Sequence, residues 1–302
     1  MAAAGAAVWL FLVVGVLLKL FWLSIFDLLF LLAPWVVVPH ALSLLPEQAS
    51  PLSQGSKLVA RYLLFPGAAL TTGSFFLKNG PSAGALVIPW LIVTAALALD
   101  GLQRLIRTRL QSFVEFCFAF GEGYALVGAL WLMASRLGMQ PVGFHEPIIL
   151  LTAVHFHYAG LMAATLAGLA ASSMRSSTLL RIALSSAVVG PGLLGLAFLI
   201  SPKLKLGAVG LIVFGEFAIA FANFRIGLAE SRGIGGRMLL VGSACVVFGM
   251  ALAGIWAVGE YPLHAFVNLV QMARYHGVLN SVGFGLCSLV GWTLLQRESL
   301  TS

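Results

Sequence analysis

Long apolar stretches alternate with short polar loops along nearly the whole chain. A helix of about 20 apolar residues is long enough to cross a hydrocarbon layer of about 30 Å. The pattern therefore predicts membrane-spanning helices near residues 59–78, 82–103, 112–136, 147–173, 178–200, 206–228, 237–258 and 263–296.

The N-terminal part of the chain leaves two alternatives open. Residues 5–45 are apolar except for Lys19 and Asp27, which suits either two tightly joined helices or one span preceded by an interfacial helix. With either start, the predicted fold is all-α: a polytopic transmembrane helical bundle of about nine spans (eight to ten) that forms one integral membrane domain over residues 1–302. Four residues predict interruptions in later spans: Pro66, Pro89, Pro191 and Gly277.

Composition supports a membrane protein and argues against a water-soluble one. The chain is 60% hydrophobic and 9% charged, whereas soluble domains carry about 25% charged residues. Its formal net charge of +7 lies in short loops between apolar segments, where basic residues set topology and meet anionic lipid head groups. We therefore expect membrane lipids as partners and no nucleic acid.

The basic residues divide unevenly between the two sets of loops. Eleven fall on one side: Lys57, Arg61, Arg104, Arg107, Arg109, Arg175, Arg181, Arg225, Arg232, Arg237 and Arg297. Four fall on the other: Lys78, Arg136, Lys203 and Lys205. By the positive-inside rule, the basic loops and the C-terminus are expected to face the cytoplasm.

Ionisable residues interrupt four of the predicted spans. They are Glu122, then His155 and His157, then Glu216, then Arg274 and His276. Such groups are expensive in a bilayer, by about 2.5–3.5 kcal/mol for an arginine on insertion scales. At a rise of about 1.5 Å per residue they all fall in one central slab, so we expect them to meet in a common chamber.

The chemistry of this set favours proton transfer. Arg274 stays charged and predicts a carboxylate partner, either Glu122 or Glu216, which leaves the other carboxyl group as an acid. A histidine beside a carboxylate can hold or pass a proton near neutral pH. The predicted catalytic residues are Glu122, His155, Glu216 and His276.

Helical spacing adds predicted substrate-binding residues. His155 and Tyr158 share a helix face, and so do His276 and Asn280, whereas His155 and His157 point about 200° apart. The predicted binding residues are His157, Tyr158, Arg274, Tyr275 and Asn280. Structural alternatives remain: His157 as a helix-packing hydrogen bonder and Arg274 as a counter-ion. No HExxH or ExxH spacing is present, so neither a metal nor another cofactor is predicted, although four helices bearing His155, His276, Glu122 and Glu216 provide a weaker metal alternative.

Three strings resemble the YndJ-like family of bacterial integral membrane proteins. They are LTAVHFHYAGL at 151–161, ARYHGVLNSVGFGL at 273–286 and, more weakly, LLAPWVVVPHAL at 31–42. The resemblance implies a multi-helix protein of the bacterial cytoplasmic membrane. It draws attention to His155, His157, Tyr158, His276 and Asn280, and members are often described as transporters. It implies no particular reaction.

Three functions are compatible with the sequence. The leading hypothesis is a cofactor-independent membrane enzyme, of cyclase, isomerase or hydratase type, acting on a lipophilic small molecule in a biosynthetic pathway. Epoxide opening and ring closure are examples, because they need only an acid and a base. The alternatives are a proton-coupled transporter or exporter of a small molecule, and an accessory subunit whose polar groups pair with a partner helix. The sequence does not specify the oligomeric state.

Overall fold

Ten helices make up the described structure, a computed structural model that covers residues 2–48, 50–174, 177–260 and 267–301 and contains no strand in these ranges. They are α1 (Ala2–Leu17), α2 (Ile25–Leu44), α3 (Pro51–Ser74), α4 (Pro81–Thr108), α5 (Phe113–Leu137), α6 (Ile148–Ser173), α7 (Thr178–Ile200), α8 (Pro202–Ala229), α9 (Ile234–Glu260) and α10 (Leu269–Thr301). Among these residues, eight helices are long and apolar enough to cross a membrane, namely α2 and α4–α10. The predicted polytopic helical bundle is confirmed.

The N-terminal stretch forms two helices. The first, α1, has 16 residues and is therefore about 24 Å long, which is short for a full span. A turn with Lys19 at positive φ follows, and Ser24 then caps α2 by accepting a hydrogen bond from the Asp27 amide. Both sequence alternatives contain two helices here, so whether α1 spans the membrane or lies at its surface stays a prediction.

Helix α3 begins at Pro51, eight residues before the predicted start. Its added first turns carry the half-buried Lys57, and the exposed Arg61 follows within the predicted span; α3 is not among the eight helices that are long and apolar enough to cross a membrane.

The expected interruptions at three prolines are wrong. Helices α3, α4 and α7 continue through Pro66, Pro89 and Pro191. Long membrane helices tolerate proline because local adjustments and neighbouring groups satisfy the freed carbonyl groups. Near Gly277, by contrast, the chain does leave α-helical geometry, because Ala273–Gly277 is π-helical.

The chain divides into two compact units. Unit 1 is Met1–Leu161 and unit 2 is Met162–Ser302. In unit 1, α4 packs against α3 and α5, and in unit 2, α8 packs against α7 and α9 while α9 also packs against α10. The single domain predicted for residues 1–302 stays a prediction, because compactness alone does not distinguish two domains from two halves of one bundle. One position from the sequence analysis, Arg175, lies outside the described residues.

Segments of π-helix coincide with all three strings that carry the family resemblance. They are Ala33–Val37 in α2, Phe156–Met162 in α6, and Ala273–Gly277 and Leu279–Leu286 in α10. Such segments are rare in proteins overall but are over-represented at functional sites. Their wider turn re-orients side chains and leaves backbone groups without their usual helical hydrogen bonds. They therefore mark the places where the backbone departs from the pattern of an ordinary membrane helix.

The first of these segments shows how the sequence produces one. Pro34 has no N–H group to donate, and the Ala33 amide donates to the Phe30 carbonyl rather than to that of Leu29. The Leu29 carbonyl instead accepts a hydrogen bond of 2.8 Å from the buried Tyr158 hydroxyl. A tyrosine on α6 thus satisfies a backbone group on α2, and it ties two of the three strings together.

We expect Tyr158→Phe to lower the free energy of unfolding by about 1 kcal/mol, because the Leu29 carbonyl would lose its donor in an apolar environment. Unfolding of the purified protein in detergent measures the change. The matched control is Tyr62→Phe, because the side chain of Tyr62 is exposed and its loss of a hydroxyl is expected to be neutral. Equal stability of the two variants would contradict the assignment.

Candidate functional site

A buried guanidinium group organises the polar interior of unit 1. Arg104 lies near the end of α4, is 1% exposed and contacts three carboxylates. Its Nε donates to Glu122 Oε2 at 2.9 Å, its Nη1 to Glu115 Oε2 at 2.8 Å and its Nη2 to Asp100 Oδ2 at 3.1 Å. A further bond of 3.0 Å joins Nη2 to the carbonyl of Pro46. The guanidinium therefore connects α4, α5 and the α2–α3 loop.

The residues around Asp100 complete this cluster, which we call the Arg104 cluster (Arg104, Asp100, Glu115 and Glu122). The Asp100 carboxylate accepts hydrogen bonds from the Ser53 hydroxyl and from Gln48 Nε2, the latter at 3.0 Å. Close helix packing brings α5 within reach. A Cβ at Gly101 would lie 2.7 Å from the Ala119 carbonyl oxygen and 3.1 Å from the Glu122 Cβ, so glycine permits this approach.

Charge does not balance within the Arg104 cluster. Asp100 and Glu122 are both 0% exposed and share one fully buried cation, and Glu115 adds a third, partly exposed carboxylate. Glu122 Oε1 is buried and accepts no hydrogen bond from an N–H or hydroxyl group of the described residues. The Glu122 and Asp100 carboxylates both accept from the Arg104 guanidinium, at 2.9 and 3.1 Å, and therefore lie close to each other. Two ionised carboxylates at such close range repel each other, and a proton on one of them would remove that repulsion.

Glu122 thus has a partner that the sequence analysis did not consider. Arg104 was counted there as a loop residue, because α4 was expected to end near residue 103, but the helix continues to Thr108. The side chain of Arg274 is exposed, and within the described part of the chain no carboxylate lies at ion-pair distance from it. The expected carboxylate partner of Arg274 is therefore not found among these residues.

His157 is fully buried in unit 1, and its surroundings select one tautomer. Nδ1–H donates to the Ala153 carbonyl at 2.8 Å, and Nε2 accepts from Trp90 Nε1–H at 3.4 Å. A neutral imidazole supplies one donor and one acceptor, which matches these two bonds. The ring also contacts Phe30 edge-on and occupies the space beside Gly128, where a Cβ would lie 2.5 Å from Nδ1. These contacts support the alternative in which His157 is a hydrogen-bonding residue of helix packing.

His155 has different surroundings, although it is only two residues away. Its side chain is exposed, and its ring donates from Nδ1 to the carbonyl of Leu151, one turn earlier. In an apolar helix this exposed position faces lipid or a partner rather than the packed interior of unit 1. Tyr158 is anchored on Leu29, as described above.

In unit 2, a second acid lies halfway along α8. Glu216 is 4% exposed, and its Oε2 atom has no hydrogen-bond partner among the described residues. It shares a helix face with Asn223, two turns further on, which contacts α10 through Ser288 and Trp292. Glu216 therefore faces the seam where α8 meets α10.

The contact between α8 and α10 is fixed at Asn223 and Ser288, whose side chains are hydrogen-bonded at 3.3 Å. The segment Leu279–Leu286 of α10 is π-helical, so this pairing does not extend at a constant separation to the level of Glu216. Ser281, within that segment, is 2% exposed, and its hydroxyl has no partner among the described residues.

Asn280 and His276 lie together on α10, where they face α9. The Asn280 Nδ2 atom is 2.9 Å from His276 Nδ1, and that nitrogen is 2.9 Å from the carbonyl oxygen of Gly249. Asn280 Oδ1 is buried without a partner in the described structure, and a Cβ at Gly249 would lie 2.8 Å from it. The predicted shared face of His276 and Asn280 is confirmed, whereas the neighbouring Tyr275 is 53% exposed.

The predicted site residues are therefore distributed over two units. Glu122, His155, His157 and Tyr158 belong to unit 1, whereas Glu216, Arg274, Tyr275, His276 and Asn280 belong to unit 2. That all four catalytic candidates share one chamber stays a prediction. Within the described residues, no three His, Cys, Asp or Glu side chains are grouped as a metal site.

The structure adds Asp100, Glu115 and Arg104 to the candidate site, whereas the sequence analysis placed Arg104 among the basic loop residues. The signal was available in the spacing. Asp100 and Arg104 are four residues apart on one helix, and Glu115 and Glu122 are seven apart on the next, so each pair lies on a single face.

We expect Arg104→Gln to lower the free energy of unfolding by about 3–5 kcal/mol, because it leaves buried carboxylates without their cation. The double variant Arg104→Gln/Glu122→Gln should recover part of this loss, since one of those carboxylates is then neutral. Unfolding in detergent measures both, with Arg61→Gln as the exposed control. A double variant no more stable than Arg104→Gln would contradict the charge argument.

The comparisons with known proteins agree with this membrane architecture. The family model described as YndJ-like protein matches residues 28–284. The chain is 27% identical over 212 residues to the Bacillus subtilis (strain 168) protein named "Uncharacterized membrane protein YndJ", which covers 70% of this chain and 38% of that relative. The chain thus spans less than two fifths of the relative's length. No solved structure matches. Because the family model covers most of the chain, including all but a few residues of the three strings noted above, the protein belongs to the YndJ-like family of membrane proteins.

Proposed function

We propose that the protein is a proton-coupled transporter of a lipophilic small molecule, with the Arg104 cluster as its proton-binding site. The observation that carries the proposal is the excess of buried carboxylates over buried cations around Arg104. A buried negative charge without compensation is strongly unfavourable, so the cluster must bind a proton or rearrange when it loses one. This links protonation to conformation, which is the requirement for coupling.

The polar groups of unit 1 are spread along the helices, and this arrangement favours a path for protons over catalysis at a single site. Along α5, Glu115 and Glu122 are separated by about 10 Å, and Gly128, which contacts His157, lies about 9 Å further on. An acid–base enzyme would concentrate these groups around one substrate, whereas a relay distributes them along the membrane normal. The gap between Glu122 and His157 is the place where a conformational change must open a path.

The π-helical segments offer a physical basis for such a change. A π-turn contains one more residue than an α-turn, and its movement along a helix rotates the side chains that it passes. The segments in α2 and α6 are connected through the Tyr158–Leu29 hydrogen bond. A proton-driven shift of one segment would therefore change the hydrogen bonding of the other.

The second candidate is a membrane enzyme of cyclase, isomerase or hydratase type, without a cofactor. The observation that favours it is that unit 2 contains both a buried acid, Glu216, and a base, His276, whose Nδ1 lies 2.9 Å from Asn280 Nδ2. Glu216 would donate a proton and His276 would accept one, while the exposed residues Arg274 and Tyr275 would guide the substrate. The positions of the basic loops support a bacterial cytoplasmic membrane location for either function, with the C-terminus in the cytoplasm.

Proteoliposomes that contain the purified protein and a trapped pH-sensitive dye test the proposal. With an imposed pH gradient, we expect some members of a panel of lipophilic amines, carboxylic acids and neutral alcohols to move protons across the membrane. The rate should fall at least tenfold in Glu122→Gln, which removes one proton site while keeping the side-chain shape. The exposed control is Glu47→Gln, which should behave as the wild type.

Mass spectrometry and chromatography of the same samples separate the two functions. Unchanged compounds that accumulate only while the gradient persists would support transport. Conversion of a compound to an isomer or hydrate without proton flux would overturn transport and favour the enzyme. Equal proton flux in Glu122→Gln and the wild type would also contradict the role of the Arg104 cluster.

A further inference from the structure

Helices α8 and α9 leave an apolar groove between them in unit 2, which we call the α8–α9 groove. It has a volume of about 370 Å³, is open on one side, and is lined by three phenylalanines of α8 and one of α9. Phe221 and Phe224 on one wall and Phe248 on the other are exposed. Of the described residues that line the groove, Ser243 alone has a polar side chain. The groove therefore suits a hydrocarbon chain.

Two glycines close the groove at the end nearest the α8–α9 loop. A Cβ at Gly227 would lie 2.8 Å from the carbonyl oxygen of Gly236 and 3.0 Å from Leu240 Cγ, so the two helices approach closely here because the side chains are absent. Leu240 and Phe224, about one turn further from the loop, are the first lining residues. From Phe224 to Phe217, the groove extends about 10 Å along α8.

This length limits what the groove can hold. Half of the hydrocarbon layer is about 15 Å thick, so the groove covers about two thirds of one leaflet. A partner transmembrane helix would pack along both leaflets, whereas the acyl chain of a lipid ends within its own leaflet. The extent of the groove therefore favours an acyl chain over a helix.

Two exposed arginines lie on the open side of the groove, at its loop end. Arg225 follows Phe221 by four residues and Arg237 precedes Ala244 by seven, so each arginine shares a helix face with a groove residue. Both helices are regular α-helix through these positions, which makes the spacing reliable. Within the described part of the chain, no carboxylate lies at ion-pair distance from either guanidinium group.

The loop end of the groove carries an excess of positive charge. Residues 225–237 contain three arginines and one glutamate, and Arg297 and Glu298 of α10 add one charge of each sign. Side chains on a helix lean toward its N-terminus, which for Arg225 is the direction of the groove. Arg237 is held on the loop side, where its Nε donates to the carbonyl of Ser231 at 3.1 Å. An anionic group at this end would therefore meet arginines from both walls.

We propose that the α8–α9 groove binds an acyl chain of an anionic phospholipid, whose phosphate group lies beside Arg225 and Arg237. Guanidinium groups form strong charge-assisted hydrogen bonds with phosphate oxygens. A zwitterionic lipid carries its own cation, which an arginine-rich end would repel, so the site selects a lipid with a net negative headgroup. This site lies in unit 2 and does not depend on the proton site proposed for unit 1.

The test is native mass spectrometry of the purified protein in a non-ionic detergent, titrated with dioleoyl phosphatidylglycerol or dioleoyl phosphatidylcholine. The two lipids share their acyl chains and phosphate but differ in net charge. We expect at least tenfold tighter binding of phosphatidylglycerol, and Arg225→Gln/Arg237→Gln should remove this preference. The matched control is Arg61→Gln/Arg109→Gln, which removes two exposed arginines of unit 1 and should bind both lipids as the wild type does.

A second variant tests the groove without changing any charge. Ala244→Trp places a large side chain at an exposed lining position, so it should fill the groove and weaken the binding of phosphatidylglycerol at least fivefold. If Arg225→Gln/Arg237→Gln fails to fold, Arg225→Gln alone should weaken phosphatidylglycerol binding about threefold to fivefold.

Three results would overturn the proposal. They are equal affinity of the wild type for the two lipids, an equal loss of phosphatidylglycerol binding in the groove pair and the control pair of arginine variants, and phosphatidylglycerol binding that Ala244→Trp leaves unchanged. A dimer that forms without lipid and is lost in Ala244→Trp would assign the groove to a second copy of the chain and would overturn it as well.

Discussion

The buried guanidinium of Arg104 is the constraint on which the interior of unit 1 depends. It donates to three carboxylates and one backbone carbonyl, and these acceptors come from α4, α5 and the loop after α2. Asp100 and Glu122 could not both be buried without it, because each would lose its ion pair in a medium of low dielectric constant. The same interaction sets the close approach of α4 and α5 at Gly101. Arg104 thus determines both the packing and the electrostatics of this unit.

Both units bury side-chain atoms without a hydrogen-bond partner among the described residues, namely Thr71 Oγ1, Glu122 Oε1 and Arg136 Nε in unit 1 and Glu216 Oε2, Asn280 Oδ1 and Ser281 Oγ in unit 2. The units differ in the charges around their buried acids. In unit 1, Glu122 shares the Arg104 cation with Asp100 and Glu115, whereas in the described part of unit 2 no ion pair involves Glu216. The surplus acid beside a buried cation is the feature of unit 1 that suits proton storage.

The sequence predicted the spans well, because apolar length alone specifies a membrane helix. It did not predict that α4 continues to Thr108, and this placed Arg104 in a loop and hid its contact with Glu122. In a basic, partly apolar stretch, the sequence carries no strong signal for the residue at which a helix ends. The ion pairs that extend the helix come from another segment of the chain. The sequence analysis also singled out the three strings in which π-helix occurs, but it did not predict their π-helical geometry. That geometry depends on tertiary contacts such as the bond from Tyr158 to Leu29.

The proposed function depends on a proton held among the buried carboxyl groups that surround Arg104. Infrared spectroscopy of the purified protein at neutral pH tests it directly, because a protonated carboxyl group has a C=O stretching band that carboxylates lack. The account predicts a band that shifts in D₂O and loses intensity in both Glu122→Gln and Asp100→Asn, but not in Glu47→Gln. An unchanged band in the first two variants would show that both carboxyl groups are ionised and would contradict the proton site.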